Sequence, residues 1–143
     1  MPARFYEQEV KAGLKYRRKL SAFLDALVHN VADGVDRATL TYIFCNDAYL
    51  LQMNQQYLDH DTFTDIITFD MSDAKNVLTG EIYISTDRVA DNAVKYSTTY
   101  EAELHRVIFH GALHLCGYKD KKESDKKEMR RMEDECLQMY FKD

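Results

Sequence analysis

Proline and glycine are scarce in this chain, with one proline and five glycines in 143 residues. A low-complexity or disordered segment would need far more of both, so that class is excluded. Cysteine is scarce as well. Cys45, Cys116 and Cys136 are odd in number and form no Cys-x-x-Cys pair, which speaks against a disulfide framework and for free thiols in a reducing compartment. Positive charge is not in excess: the net charge is −5. Global attraction to nucleic acid is therefore missing, and any contact with RNA has to run through a local basic patch. No apolar run is long enough to cross a bilayer. The opening residues lack the apolar core of a secretory signal. These absences lead us to expect a soluble, cytoplasmic protein without a membrane partner.

What is present is enough for a core. About 45% of the residues are hydrophobic, and at this length roughly two-thirds of the unfolded surface can be buried. There is no linker and no internal repeat, so residues 1–143 are expected to form a single domain.

Helical periodicity runs from about Glu7 to Asn30, where Val10, Leu14, Leu20, Phe23, Leu24, Leu27 and Val28 can share a face. Gly34 marks the turn that follows. Thr39 to Cys45 is β-branched and aromatic and reads as a strand. Asn46 is a suitable N-cap for a helix ending near Tyr57. Thr64–Asp70 and Gly80–Asp87 read as two more strands, followed by a helix from about Thr86 to Lys95.

Thr98 and Glu101 have capping-box spacing and announce a helix from Thr99 to about Leu115. Gly117 stands where a helix end favours a left-handed residue. A last amphipathic helix, Ser124 to Phe141, carries Met129, Met132, Cys136 and Met139 on its apolar side. The expected fold class is α+β, a small mixed β-sheet packed against several helices, with a metal site on a late helix and the loop after it.

That site is read from His110–Asp120. His110 and His114 are four apart on a helix, so both imidazoles leave the same face one turn apart. Gly117 stops the helix and turns the chain back, which lets Asp120 approach as a third ligand. Three protein donors leave one position open, the arrangement of a catalytic zinc site rather than a closed structural one. At about 100° per residue, Leu104, Val107, Ile108, Gly111 and Leu115 form the core face, and the two histidines fall at its margin. The pattern resembles the zincins, yet Gly111 occupies the position where a zinc protease carries its general-base Glu.

The same stretch, His110-Gly111-Ala112-Leu113-His114-Leu115-Cys116-Gly117-Tyr118-Lys119-Asp120, resembles the signature of the YbeY family. Two other segments are similar to family motifs in order and spacing: Asn54 to Phe69, which includes Tyr57 and Asp65, and Gly80-Glu81-Ile82-Tyr83-Ile84. The resemblance implies a single-strand-specific metallo-endoribonuclease of the bacterial cytosol. It would carry one zinc ion and act in 16S ribosomal RNA 3′-end maturation and ribosome quality control. RNA, and with it the ribosome or ribosomal proteins, are the implied partners. Departures are visible. The family's third His is Asp120, its preceding Asp is Lys119, its Arg after Tyr is Leu58, and a Pro is Phe63.

The chemistry expected is metal-assisted phosphodiester hydrolysis, with His114 among the catalytic residues and zinc (or another divalent metal) as cofactor. The general base is not fixed by the sequence; Asp65 and Glu81 are candidates by motif position, and His60 is read as a surface residue. Lys119, Lys121, Lys122 and Arg130 are the candidate RNA contacts, within a run that also holds Lys126, Lys127 and Arg131 and interleaved acids. Arg17, Arg18 and Lys19 form a smaller basic group read as ordinary surface. Two rivals remain: a non-catalytic ribosome-assembly factor with a structural metal, and another zinc hydrolase such as a peptidase.

Overall fold

A computed structural model describes residues 1–58 and 64–142; His60 and Phe63 lie outside the described residues. The elements run β1 (Ala3–Glu7), α1 (Arg17–Val31), β2 (Arg37–Cys45), α2 (Asp47–Leu58), β3 (Ile66–Asp70), β4 (Val77–Ser85), α3 (Thr86–Lys95), α4 (Tyr100–Leu115) and α5 (Glu123–Tyr140). The four strands form one sheet in the order β1-β2-β4-β3. β1 with β2 and β2 with β4 are parallel, whereas β3 with β4 is antiparallel, with Ile66 opposite Ile84. This is the mixed sheet with helices expected for the α+β class.

Alternation along the strands assigns the two faces of the sheet. Leu40, Tyr42 and Phe44 of β2 and Ile82 and Ile84 of β4 turn to one side. There they form a core with Leu20, Leu24 and Val28 of α1 and Leu104, Val107 and Ile108 of α4. Full burial of each such aliphatic side chain stabilises by about 1.5–3 kcal/mol. The Tyr42 hydroxyl, buried in that core, donates to the Ile108 carbonyl at 2.8 Å and ties strand to helix. The other face carries a smaller cluster of Cys45, Leu50 and Ile67 under α2. Helix α5 lies outside α4, with Met129 and Met132 against Leu113.

The expected helix from Glu7 to Asn30 is half right. It begins only at Arg17, and Ala3–Glu7 is instead an edge strand. Glu9 and Tyr16 adopt φ 57° and Gly13 φ 71°, so a continuous right-handed helix is not possible there. The Glu7 carboxylate accepts from the Ala12 amide at 2.7 Å and holds the turn. Val10 and Leu14 still pack on the core, from a loop.

The capping residue of α4 is Thr99, whose hydroxyl accepts from the Ala102 amide at 3.0 Å, and not Thr98. Thr98 closes the preceding helix instead. Its amide donates to the Ala93 carbonyl at 2.9 Å, around Ser97 at φ 55°. Met139, placed on the apolar side of the last helix, is 65% exposed. Helix α5 turns Met129, Met132, Cys136 and Tyr140 inward, and Met139 stands at the exposed margin of that face, beside Met132 and Cys136.

Two glycines set how closely α4 approaches the sheet. A Cβ on Gly111 would meet Ile82 Cγ2 at 2.8 Å and Ile66 Cδ1 at 3.0 Å. One on Gly80 would meet Leu115 Cδ1 at 2.5 Å. Helix and sheet touch at bare backbone on both sides, and this fixes the height at which the neighbouring His110 leaves the helix.

Candidate metal centre

Helix α4 ends in a Schellman turn. The Tyr118 amide donates to the Leu113 carbonyl and the Gly117 amide to the His114 carbonyl, each at 3.1 Å, with Gly117 at φ 104°. The turn places the Tyr118 carbonyl 2.9 Å from His114 Nδ1. A carbonyl only accepts, so Nδ1 carries the proton and Nε2 presents its lone pair. The same logic holds for His110, whose Nδ1 lies 2.7 Å from Glu133 Oε2. The carboxylate accepts a hydrogen bond from Nδ1–H and leaves Nε2 free on the cleft side. Both imidazoles thus show the tautomer and outer partner that metal-ligating histidines require.

The free Nε2 of His110 lies 3.8 Å from Asp120 Oδ2. The rings of His110 and His114 are near-parallel, with centroids 5.9 Å apart. All three side chains line one cavity, together with Asn54, Leu58 and Lys121. A tetrahedral zinc ion sets its donors roughly 3.3 Å apart, given bonds near 2.0–2.1 Å, so the His110–Asp120 pair has to close by a fraction of an ångström. Among the described residues no three His, Cys, Asp or Glu side chains are already drawn into a closed ligand set. The donor chemistry nevertheless fits zinc: two neutral imidazole nitrogens and one carboxylate. His110 is partly buried, as its position at the core margin requires, but His114 is exposed at the rim.

Electrostatics around His110 favour a charged partner. Burial lowers its pKa, but the hydrogen bond and charge of Glu133, with Asp120 and Asp65 beyond, outweigh this and the net shift is upward. Glu133 is itself held by Arg106, whose Nη1 donates to Oε1 at 2.9 Å while Nη2 reaches Asp134 at 2.6 Å. Glu133 escaped the sequence reading. Its one signal was an acid on the apolar side of the last helix, between Met132 and Cys136.

A second cavity, of about 450 Å³, opens on the other side of the His110–Asp120 pair. Asp65 is on its wall, and burial pushes its carboxyl pKa upward against the opposing effect of His110. Glu81, the other candidate base, is not in the site. Gly80 and Ile82 face α4, so Glu81 between them points to the opposite face of β4, where it accepts from the Tyr83 hydroxyl at 3.1 Å. Lys121 lines the cavity of the histidines and Arg130 that of Asp65. Lys119 and Lys122 are exposed and on neither wall, Lys122 instead preceding the first turn of α5. Leu58, at the family's Arg position, puts an apolar surface on the cleft.

The peptidase reading meets a physical obstacle. Since even a methyl group at Gly111 collides with Ile82, a Glu there has no room.

Comparison with known proteins bears on the family and the fold. The family model "Endoribonuclease YbeY" matches residues 5–141. A protein of that name from Porphyromonas gingivalis is 53% identical over 135 residues, 94% of this chain and 87% of that protein. One from Cytophaga hutchinsonii is 45% identical over 135 residues, 94% of this chain and 93% of that protein. The solution structure of a Thermotoga maritima protein superposes with a TM-score of 0.62 at 26% identity, covering 97% of this chain and 89% of that one.

Proposed function

Since the chain belongs to the Endoribonuclease YbeY family, we propose that its histidine cleft hydrolyses single-stranded RNA with a bound divalent metal, zinc foremost. The observation that carries this is the paired tautomer lock: Glu133 on His110 and the Tyr118 carbonyl on His114 leave two Nε2 lone pairs facing the cavity that Asp120 also lines. We further propose maturation of the 16S ribosomal RNA 3′ end as the task, with the cytoplasm as its place and the ribosome as its setting. No helix among the described residues is long and apolar enough to cross a membrane.

His110, His114 and Asp120 would hold the ion. What it contributes when bound is Lewis acidity toward a phosphoryl oxygen and the attacking water. The protein's own part is orientation and proton handling. Glu133 and Tyr118 fix the two rings. Asp65 shares a wall with His110 and Asp120, so acceptance of a proton from the attacking water falls to its carboxylate. Lys121 and Arg130 stand at the two cavities and offset phosphate charge.

The test is cleavage of end-labelled single-stranded RNA by wild type and His114→Ala, each with its metal content measured. Metal-loaded wild type should cut and the variant should not. Metal-loaded wild type that binds RNA without cutting it would favour a non-catalytic assembly factor, and cutting by metal-free His114→Ala would remove the histidine cleft from the chemistry.

A further inference from the structure

The cavity beside His110 and Asp120 contains a group that the hydrolytic reading does not use. Glu103, in the first turn of α4, is only 6% exposed and lines that cavity. Its amide donates to the Thr99 carbonyl, but its carboxylate makes no hydrogen bond or ion pair among the described residues. Burial pushes its pKa upward, and the Arg106 charge opposes that only in part. Its oxygens are not sealed from solvent but open onto the cavity, so a ligand entering that space can reach them.

The rest of the wall has a consistent chemistry. Tyr96 is 56% exposed and offers an aromatic face at the mouth. Asn92 offers an amide, while Ile66, Val107 and Met129 give an apolar side. Arg130 and Lys126 stand on the same wall, without an ion pair among the described residues. A volume of about 450 Å³ falls in the range of small-ligand sites, about 300–1,000 Å³. An aromatic platform, an apolar side, a cation for the backbone and a carboxylate acceptor on the wall are the parts with which proteins take unstacked RNA bases.

We propose that this cavity is a base-reading subsite for the nucleotide next to the scissile phosphate, and that Glu103 selects guanine there. Guanine presents two adjacent donors, N1–H and the N2 amino group, which match the two oxygens of one carboxylate. Uracil presents a single N–H flanked by two carbonyls that a carboxylate repels. Cytosine offers one amino group, a weaker match. The proposal rests on the endoribonuclease reading of the adjoining cleft. Glu103 is a specificity residue and takes no part in the hydrolytic step.

The experiment is equilibrium binding of labelled pentanucleotides to the full chain by fluorescence anisotropy. The probes are UUGUU, UUUUU, UUCUU and the inosine analogue UUIUU, which lacks the N2 amino group. Wild type should bind UUGUU about tenfold more tightly than UUUUU, the discrimination of one carboxylate–base pairing, with UUIUU and UUCUU between them. Glu103→Gln should bring that ratio close to one, by weakening UUGUU and, with the repulsion of the uracil carbonyls relieved, by leaving UUUUU bound at least as tightly as before. Tyr96→Ala, at an exposed position where folding is not at stake, should weaken UUGUU more than UUUUU.

A wild-type ratio within twofold overturns the proposal, as does an unchanged ratio in a folded Glu103→Gln. Should that variant fail to fold, equal losses on both probes in Tyr96→Ala overturn it. Cleavage of all four probes at one rate by metal-loaded wild type removes the base preference and leaves the nuclease reading standing. Wild type that neither binds nor cuts any of them removes both.

Discussion

His110 on α4 is joined to Glu133 on α5 by a 2.7 Å hydrogen bond from Nδ1 to Oε2, so the helix that presents a candidate ligand is not the helix that orients it. Glu133→Gln should therefore lower zinc affinity by about 10–100-fold, the usual cost of losing an outer-shell carboxylate. Competition with a chromophoric chelator at fixed pH measures this. Wild-type affinity in a folded Glu133→Gln would mean that the imidazole is oriented by its own packing.

Asp120 lies on the loop between the Gly117 turn and α5, 3.8 Å from His110 Nε2. Asp120→His supplies another single donor and should keep zinc binding, whereas Asp120→Ala leaves two ligands from one helix and should lose most of it. Isothermal titration of the three proteins gives the order. Equal affinity for wild type and Asp120→Ala would reduce Asp120 to a surface charge.

Gly111→Ala sets two effects against each other. Alanine is the better helix former by about 0.8–1.0 kcal/mol, but its Cβ would stand 2.8 Å from Ile82 and 3.0 Å from Ile66, and overpacking of that kind costs about 1–3 kcal/mol. Overpacking wins, so urea denaturation should show a net loss of about 1 kcal/mol. A more stable variant would show that α4 lifts from the sheet without cost.

His105 gives the pH dependence. Its ring is 4% exposed, stacked on Tyr140 at 5.2 Å, with Nδ1 2.7 Å from the Glu101 carbonyl. Burial lowers its pKa below the ordinary 6.5, outweighing the carbonyl of Glu101, and Lys19 adds to the lowering. The unfolded chain therefore binds the proton more readily, and stability falls with pH below 6.5 until the folded value is passed. The NMR midpoint of His105 should lie under 6.5, and the loss of stability on acidification should be smaller in His105→Gln. A midpoint above 6.5 would mean that the ring is charged in the fold.

How much of this was legible depends on whether a signal is local. The helix carrying His110 and His114 was readable because apolar spacing, a pair of threonines at its start (though the cap is Thr99 and not Thr98) and a stopping glycine all sit in one short segment. The strand Ala3–Glu7 was not, because only Ala3 and Phe5 of it are buried and its pairing with Leu40–Phe44 is long-range. Helical spacing of Val10 and Leu14 with the true helix was accidental: both pack, partly buried, from a loop. Glu81 looked like a candidate base because motif position carries no information about which face of a strand reaches the cleft. Glu133 and Glu103 were invisible because a buried acid declares itself only when its neighbours are known.

The proposed third ligand position has slack that the proposed first two lack. His110 and His114 stand on a helix pressed against bare backbone at Gly111 and Gly80, while Asp120 sits past the turn at Gly117, in a stretch without regular structure. On the proposed ligand set, exchange of the donor at 120 would leave the scaffold indifferent and alter only the hardness of the ion's surroundings. Ion preference would then be a property that a single substitution at 120 could change, insulated from folding.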